Sequence, residues 1–187
     1  MNDSFAEMFH VTPDEDLPLL RELLAIDVMI PESTAFARGP AGDLSFVVPP
    51  LPMHWSRQGE MPWILRNGDF RQGQTALEIG AAWTCLQYAI AHRGVNVWST
   101  DIDKPANGIA RVNFVNHFFN ANVDMHFEVC DVRDLPYNDG HFDRVYSVST
   151  LEHLNGKADR AKAIEEMIRV LKPGGLLLLT MDVSLNP

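Results

Sequence analysis

Residues 75–85 read TALEIGAAWTC, and residues 95–103 read VNVWSTDID. The first stretch is a short apolar run that ends in a glycine turn, and the second is an apolar run that ends in an acid. Between them, apolar residues recur at helical spacing over 83–92. A strand, a glycine turn, a helix and a second strand with a terminal acid are typical of the first βαβ unit of a nucleotide-binding sheet.

The same alternation continues to residue 181. Helices are predicted over 109–119 and 158–171, and strands over 95–100, 125–129, 142–148 and 175–181. The second helix is followed by Lys-Pro-Gly-Gly, where proline stops a helix and glycine supplies a left-handed turn. Four consecutive leucines in the last strand are expected of a strand buried on both faces. Together these elements predict a parallel α/β sheet whose ligands bind at the carboxyl ends of its strands.

The N-terminal part of the chain has a different character. An amphipathic helix is predicted over 17–26, either packed on the domain or placed as a cap over a substrate site. Prolines and glycines are dense from 31 to 62, which favours loops with one short strand at 44–48. A further helix is predicted over 60–65, with Pro62 in its first turn.

The chain is long enough for one substantial core, because 46% of its 187 residues are hydrophobic. We expect one structural domain. Within it, residues 1–70 form an N-terminal helical and loop cap segment, and residues 71–187 form a cofactor-binding α/β core.

The charge and the cysteines limit the partners and the compartment. The net charge is −10 and basic residues form no run, so no nucleic-acid partner is expected. No apolar run is long enough to cross a bilayer and no leader-like segment opens the sequence, so no membrane association is expected. Cys85 and Cys130 lack metal-like or C-x-x-C spacing, which predicts free thiols and no metal site. These features favour a cytoplasmic protein.

The strand ends carry the groups that a nucleoside ligand requires. Gly80 allows a close backbone approach, and Asp101 follows it by 21 residues, the distance at which a carboxylate meets ribose hydroxyls. Asp131 lies where an adenine edge would be read. A dinucleotide pattern fails, because Ala82 and Cys85 occupy its later glycine positions, and no G-K-[ST] phosphate loop occurs.

Five ordered motifs resemble those of the class I S-adenosylmethionine-dependent methyltransferases. They are L-E-I-G at 77–80 with its downstream Asp101, C-D-V-R-D-L-P-Y at 130–137, F-D-R-V at 142–145, L-E-H-L at 151–154, and R-V-L-K-P-G-G at 169–175. The resemblance implies a three-layer, doubly wound, mostly parallel sheet of the Rossmann-like methyltransferase fold. It also implies an enzyme that transfers a methyl group from S-adenosylmethionine to an oxygen or nitrogen atom of a small-molecule acceptor.

The resemblance assigns a first group of residues to the methionine part of the cofactor. Glu78 and Gly80 match an E-x-G-x-G-x-G turn that wraps this part, while Ala82 and Thr84 replace the second and third glycines. Ser149, on the loop after the fourth strand, would add a contact to the amino-acid tail.

A second group would hold the nucleoside. By resemblance, Asp101 binds the ribose hydroxyls and Ile102 packs on the adenine, whose amine and ring nitrogen are read by Asp131 and Val132. His153 lies on the acceptor side and has a side chain suited to act as a base towards a hydroxyl acceptor. The other interpretation of His153 is that it only braces its loop.

The sequence departs from the family after its fifth strand. Family members continue with about two more strands, which this sequence lacks, so the strand at 175–181 is expected to be an apolar edge. The sequence could be a piece of a longer enzyme, a second copy or another subunit could cover the edge, or residues 44–48 could add the missing strand. The alternative function is therefore a non-catalytic cofactor-binding or partner subunit.

Overall fold

The computed structural model describes residues 18–19, 21–23, 37–38, 44–45, 57–81, 85–102 and 125–182. In chain order the elements are β1 (Ala37–Arg38), β2 (Leu44–Ser45), α1 (Arg57–Asn67), β3 (Thr75–Ile79), α2 (Leu86–His92), β4 (Asn96–Asp101), β5 (Met125–Val129), β6 (Phe142–Val148), a 3₁₀ turn (Leu151–His153), α3 (Gly156–Val170) and β7 (Leu171–Thr180). The described residues 18, 19 and 21–23 are also helical. No helix within these ranges has both the length and the apolar character that a membrane span requires.

Five strands form one parallel sheet in the order β5-β4-β3-β6-β7. From β3 the chain builds outward through β4 to β5, then returns to the other side of β3 to add β6 and β7. The order of the strands therefore reverses between β3 and β6. In open α/β sheets this switch point opens a crevice at the carboxyl ends of the strands, where ligands bind.

Each face of the sheet has its own apolar core. Ile64 of α1 and Leu86 and Ile90 of α2 are buried on one face, and Leu23 of the N-terminal helical segment joins them. Met167 and its neighbours on α3 are buried on the other face. Helices thus cover both faces, and the predicted three-layer, doubly wound parallel fold is confirmed.

The connection from α3 to β7 differs from the prediction. α3 ends at Val170 and the extended strand begins at Leu171, where φ is −81° and ψ is 133°. The Lys-Pro-Gly-Gly segment lies inside β7 as a bulge, because Phe142 pairs with Leu171 but Arg144 already pairs with Leu176. Proline disfavours a helical backbone at the residue before it, so the helix ends earlier than predicted.

The burial of β7 also differs from the prediction. Leu178 is 4% exposed, but Leu176 is 39% exposed, so the leucine run is not buried on both faces throughout. The physical reason is the position of β7, which is the last strand of the sheet in the part of the chain described. The predicted apolar edge is therefore present among the described residues.

Two predictions for the N-terminal part were wrong. Helix α1 begins at Arg57, so Pro62 lies inside the helix and not in its first turn. An ion pair between Arg57 and Glu60 stabilises this earlier start. Strand β2 pairs with β1 in a separate antiparallel sheet, so the described residues of 44–48 do not extend the main sheet.

Two predicted helices are only partly testable. The helix predicted over 83–92 begins at Leu86, with Cys85 at its N-cap, while residues 82–84 lie outside the described residues. The whole of the helix predicted over 109–119 also lies outside them.

Glu166 of α3 is buried, and its carboxylate joins the helix to the loop that follows β5. It accepts a hydrogen bond from the backbone N–H of Leu135 at 2.9 Å and two from Arg169, at 2.9 and 2.7 Å. The hydrogen bonds from Arg169 lower the pKa of Glu166 from 4.5 to about 2. Because the pKa is depressed in the folded state, this stabilisation is fully present above pH 4.5 and is lost as the pH falls towards about 2.

We expect Glu166→Gln to lower the free energy of unfolding by about 2 kcal/mol at neutral pH, because Arg169 and Leu135 lose a charged acceptor. The difference from the wild type should shrink as the pH falls below 4.5. Urea denaturation across this range measures it, with Glu165→Gln, on the exposed side of the same helix, as the control. An equal loss at neutral pH and at about pH 3 would contradict the assigned linkage.

Candidate functional site

The turn after β3 joins three strands at their carboxyl ends. Gly80 has a φ of +73°, and the N–H groups of Gly80 and Ala81 both donate to the carbonyl of Thr100 on β4, each at 2.9 Å. A Cβ added at Gly80 would lie 2.2 Å from the Oγ1 atom of Thr150, just beyond β6. The left-handed backbone and the filled space both require glycine. The requirement comes from Thr150, which the sequence did not indicate.

Ser149, between β6 and Thr150, is held in an unusual conformation. Its φ is +44°, a region that costs a non-glycine residue of the order of 1 kcal/mol. Two hydrogen bonds maintain it: its N–H donates to the carbonyl of Thr180 at 3.1 Å, and its hydroxyl donates to Glu60 Oε1 at 2.7 Å. Ser149 is 5% exposed, so the strained residue is packed at the switch point.

The two predicted nucleoside acids lie at the ends of neighbouring strands. Asp101 is the last residue of β4 and pairs in register with Val129, the last residue of β5. The carbonyl of Asp101 accepts a hydrogen bond from the N–H of Cys130 at 2.9 Å, which ties the chain leading to Asp131 to the same edge. Ile102 follows Asp101 and is 63% exposed. The structure thus brings these residues to one edge of the sheet.

Asp131 has a partner that the sequence did not indicate. Arg133 donates to its carboxylate from the side-chain Nε at 2.9 Å, from Nη2 at 2.6 Å and from the backbone N–H at 2.9 Å. The same guanidinium reaches Asp159 of α3 at 2.8 Å. Its hydrogen bonds lower the pKa of Asp131, which keeps the carboxylate ionised and able to accept from an amine. The acid-x-arginine spacing was the available signal.

Val132 and Glu78 serve the interior more than the edge. The side chain of Val132 is buried in the same core as Leu77, so only its backbone is placed to face a ligand. Glu78 is 1% exposed, and its carboxylate accepts a hydrogen bond from Ser99 Oγ at 3.2 Å. Burial, together with the neighbouring Glu78, raises the pKa of Tyr146 well above 10. Glu78 therefore lies beneath the turn, in contact with β4 and β6.

The remaining predicted residues are less informative. His153 is exposed in the 3₁₀ turn, and its backbone N–H donates to the carbonyl of Thr150 at 3.0 Å. This bond braces the loop, and the exposed imidazole leaves its role as a base as a prediction. Ala82 and Thr84 lie outside the described residues, so their contribution to the methionine pocket stays a prediction. Cys85 and Cys130 are free thiols, as predicted.

Helix α1 contributes two charged residues that sequence reasoning did not assign to the cofactor. Arg57 and Glu60 form an ion pair in its first turn, and Glu60 accepts the hydrogen bond from Ser149. The spacing of three residues between the two charges was the only signal. The contact with Ser149 joins positions 89 apart in the chain and could not be derived from it.

Comparisons with known proteins identify the family. A family model described as a methyltransferase domain matches residues 77–179, more than half of the chain. Ajmaline N-methyltransferase of Rauvolfia serpentina is 34% identical over 108 residues, which cover 56% of this chain and 34% of that protein. The tRNA (carboxymethyluridine(34)-5-O)-methyltransferase of Arabidopsis thaliana is 45% identical over 53 residues, which cover 28% and 13%. The chain spans about half or less of the length of the curated relatives it matches.

Solved structures share the fold. One is assigned as an S-adenosylmethionine-dependent methyltransferase of Methanococcus maripaludis, with a TM-score of 0.52 and 24% identity over 64% of this chain and 52% of that one. Another is a complex of the Haloferax volcanii Trm112 methyltransferase activator with a protein assigned as a methyltransferase, with a TM-score of 0.50, 25% identity and coverages of 63% and 49%. From its ordered motifs, its parallel sheet and the matching family model, the chain belongs to the class I S-adenosylmethionine-dependent methyltransferases.

Proposed function

We propose that this chain binds S-adenosylmethionine at the carboxyl ends of β3, β4 and β5 and acts in methyl transfer to an oxygen or nitrogen atom of a small molecule. The observation that carries the proposal is the turn at Gly80, locked between Thr100 and Thr150, with Asp101 and Asp131 at the ends of the next two strands. A glycine turn beside two carboxylates fits a ligand that combines a ribose diol with an adenine amine.

The nucleoside contacts follow from the chemistry of the side chains. Asp101 would accept hydrogen bonds from the ribose hydroxyls, and Ile102, at 63% exposure, offers apolar surface to the adenine. Asp131, held ionised by Arg133, would accept from the adenine amine, while the N–H of Val132 would donate to a ring nitrogen. In this proposal residues 71–187 carry the cofactor, and residues 1–70 cap the edge through α1.

The chemistry asks little of the protein beyond alignment. The bound cofactor supplies an electrophilic methyl group on a sulfonium, and the chain must align an acceptor with it and exclude water. Gly80 and Ala82, with Glu78 beneath them, would shape the methionine pocket. His153 would remove a proton where the acceptor is a hydroxyl, because imidazole titrates near neutral pH.

A small-molecule acceptor is favoured by charge. The relatives include an enzyme named for ajmaline and one named for a tRNA, so similarity alone leaves the acceptor class open. The net charge of −10 repels a phosphate backbone, and we therefore propose no nucleic-acid substrate. The free thiols of Cys85 and Cys130 fit a reducing compartment, which supports a cytoplasmic reaction.

A second candidate is a non-catalytic partner subunit with the same fold. It is favoured by the outer edge of β7, where Leu176 and Met181 are 39% and 42% exposed and no strand pairs among the described residues. A second copy or another subunit would cover such an edge. The related fold solved with an activator protein supports the same idea. This candidate binds the cofactor but transfers no methyl group.

We expect S-adenosylmethionine and S-adenosylhomocysteine to bind with dissociation constants of about 1 mM or tighter, in the usual range for small substrates. Titration calorimetry on the intact chain measures this. Absence of heat with both ligands at millimolar concentration would overturn the proposal. Transfer of a labelled methyl group to a pool of small hydroxyl and amine acceptors then separates the two candidates, because a partner subunit gives binding without product.

A further inference from the structure

The first turn of α1 carries two opposite charges close to the turn at Gly80. Arg57 Nη1 pairs with Glu60 Oε2, and the other carboxylate oxygen, Glu60 Oε1, accepts the hydroxyl proton of Ser149 at 2.7 Å. The two side chains are 22% and 15% exposed, so both are largely withdrawn from water while still reachable. The three groups form a small polar cluster that we name the α1 pair with Ser149.

The cluster lies at the switch point of the sheet. Ser149 follows the last residue of β6, and its neighbour Thr150 packs directly against Gly80 at the end of β3. Ser149 is kept at a φ of +44° with its hydroxyl on Glu60, although glycine would adopt this backbone at lower cost. A strained residue whose side chain is fixed beside a cofactor turn indicates a functional use for that side chain.

A free α-amino acid group has one carboxylate and one ammonium a few ångströms apart. Burying such a zwitterion is costly unless both charges are paired. Arg57 supplies a planar donor suited to a carboxylate, and Glu60 with the Ser149 oxygen supplies acceptors for an ammonium. With no ligand the two side chains neutralise each other, so insertion of the zwitterion exchanges one set of ion pairs for another.

We infer that Arg57 and Glu60, with Ser149, form the subsite for the amino-acid end of the ligand, with its carboxylate on Arg57 and its ammonium on Glu60 and Ser149. The inference rests on the proposed function and extends it by assigning both charges of the methionine part to specific residues of α1 and the β6 loop. The competing role for the pair is purely structural, as a salt bridge that starts α1.

Two ligands separate these roles: S-adenosylhomocysteine, which carries the amino-acid end, and 5′-methylthioadenosine, which lacks it. Glu60→Gln and Arg57→Met should each weaken S-adenosylhomocysteine binding by about tenfold to a hundredfold, the value of a charge-assisted contact. Binding of 5′-methylthioadenosine should change by less than about twofold, and Arg57→Lys should retain part of the lost affinity. Arg66→Met, at the other end of α1, is the control and should leave both affinities unchanged.

Ser149→Gly provides a second test that does not depend on the fold surviving a charge change. Glycine accepts the left-handed backbone, so the melting temperature should stay the same or rise, while S-adenosylhomocysteine affinity should fall by about fivefold to tenfold. Equal losses for both ligands, or no loss for S-adenosylhomocysteine, would overturn this inference alone. A wild-type chain that binds neither ligand would overturn the proposed function together with it.

Discussion

Replacing Gly80 by alanine is expected to lower the free energy of unfolding by about 3 kcal/mol and to abolish tight cofactor binding. Two physical costs add at this position. The backbone φ of +73° is unfavourable for a residue with a Cβ, and that Cβ would lie 2.2 Å from the Oγ1 atom and 2.8 Å from the Cβ atom of Thr150. Rotation of the Thr150 side chain cannot move its own Cβ, so the strand ends must separate.

The measurement is thermal and urea unfolding, where a loss of this size lowers the melting temperature by roughly 6 to 12 °C in a chain of this length. Gly73→Ala is a matched control, because its φ is +84° but nothing lies within 4 Å of the added Cβ. It should cost only the backbone term, about 1 kcal/mol. Adding Thr150→Gly to Gly80→Ala removes the colliding atoms and should recover part of the loss. Equal costs at both glycines would show that Thr150 does not constrain the turn.

The strands of the core could be predicted closely from the sequence. The bounds of β3, β5 and β6 are those predicted, and β4 is shifted by one residue. Each is a short apolar or alternating run between turn residues, so the local pattern and the burial in the sheet agree. The order of the motifs then fixed which strand ends carry Asp101 and Asp131, and the structure brings both to one edge.

Other features could not be predicted, because they depend on contacts between distant residues. The bulge in β7 follows from pairing with β6, which no local rule contains. Serine gives no local signal for the left-handed conformation of Ser149, which its bonds to Thr180 and Glu60 maintain. The guanidinium of Arg133 on Asp131 was missed for another reason: both residues lie in a quoted motif, but the motif was interpreted only for its acid.

The acids of the motifs divide into two physical classes. Glu78 is buried beneath the turn and bonded to Ser99, so its replacement acts first on the fold. Asp101 and Asp131 are partly exposed at the strand ends, and of these Asp131 is already held by Arg133. Asp101 is therefore the residue at which a binding defect can be separated most cleanly from a folding defect.

Asp101→Ala is expected to weaken binding of S-adenosylhomocysteine by about a hundredfold, because two hydrogen bonds from ribose hydroxyls to a charged acceptor are lost. The fold should survive, since the bond that Asp101 makes to Cys130 uses its backbone carbonyl. Titration calorimetry measures the affinity, and an analogue without the 2′-hydroxyl gives the decisive comparison. The wild type should bind this analogue more weakly than S-adenosylhomocysteine, whereas Asp101→Ala should discriminate far less between them. Asp134→Ala, an exposed aspartate after β5, is the control and should bind like the wild type. Unchanged affinity in Asp101→Ala would mean that the ribose is held elsewhere, and an equal loss for both ligands would mean that Asp101 only shapes the strand end.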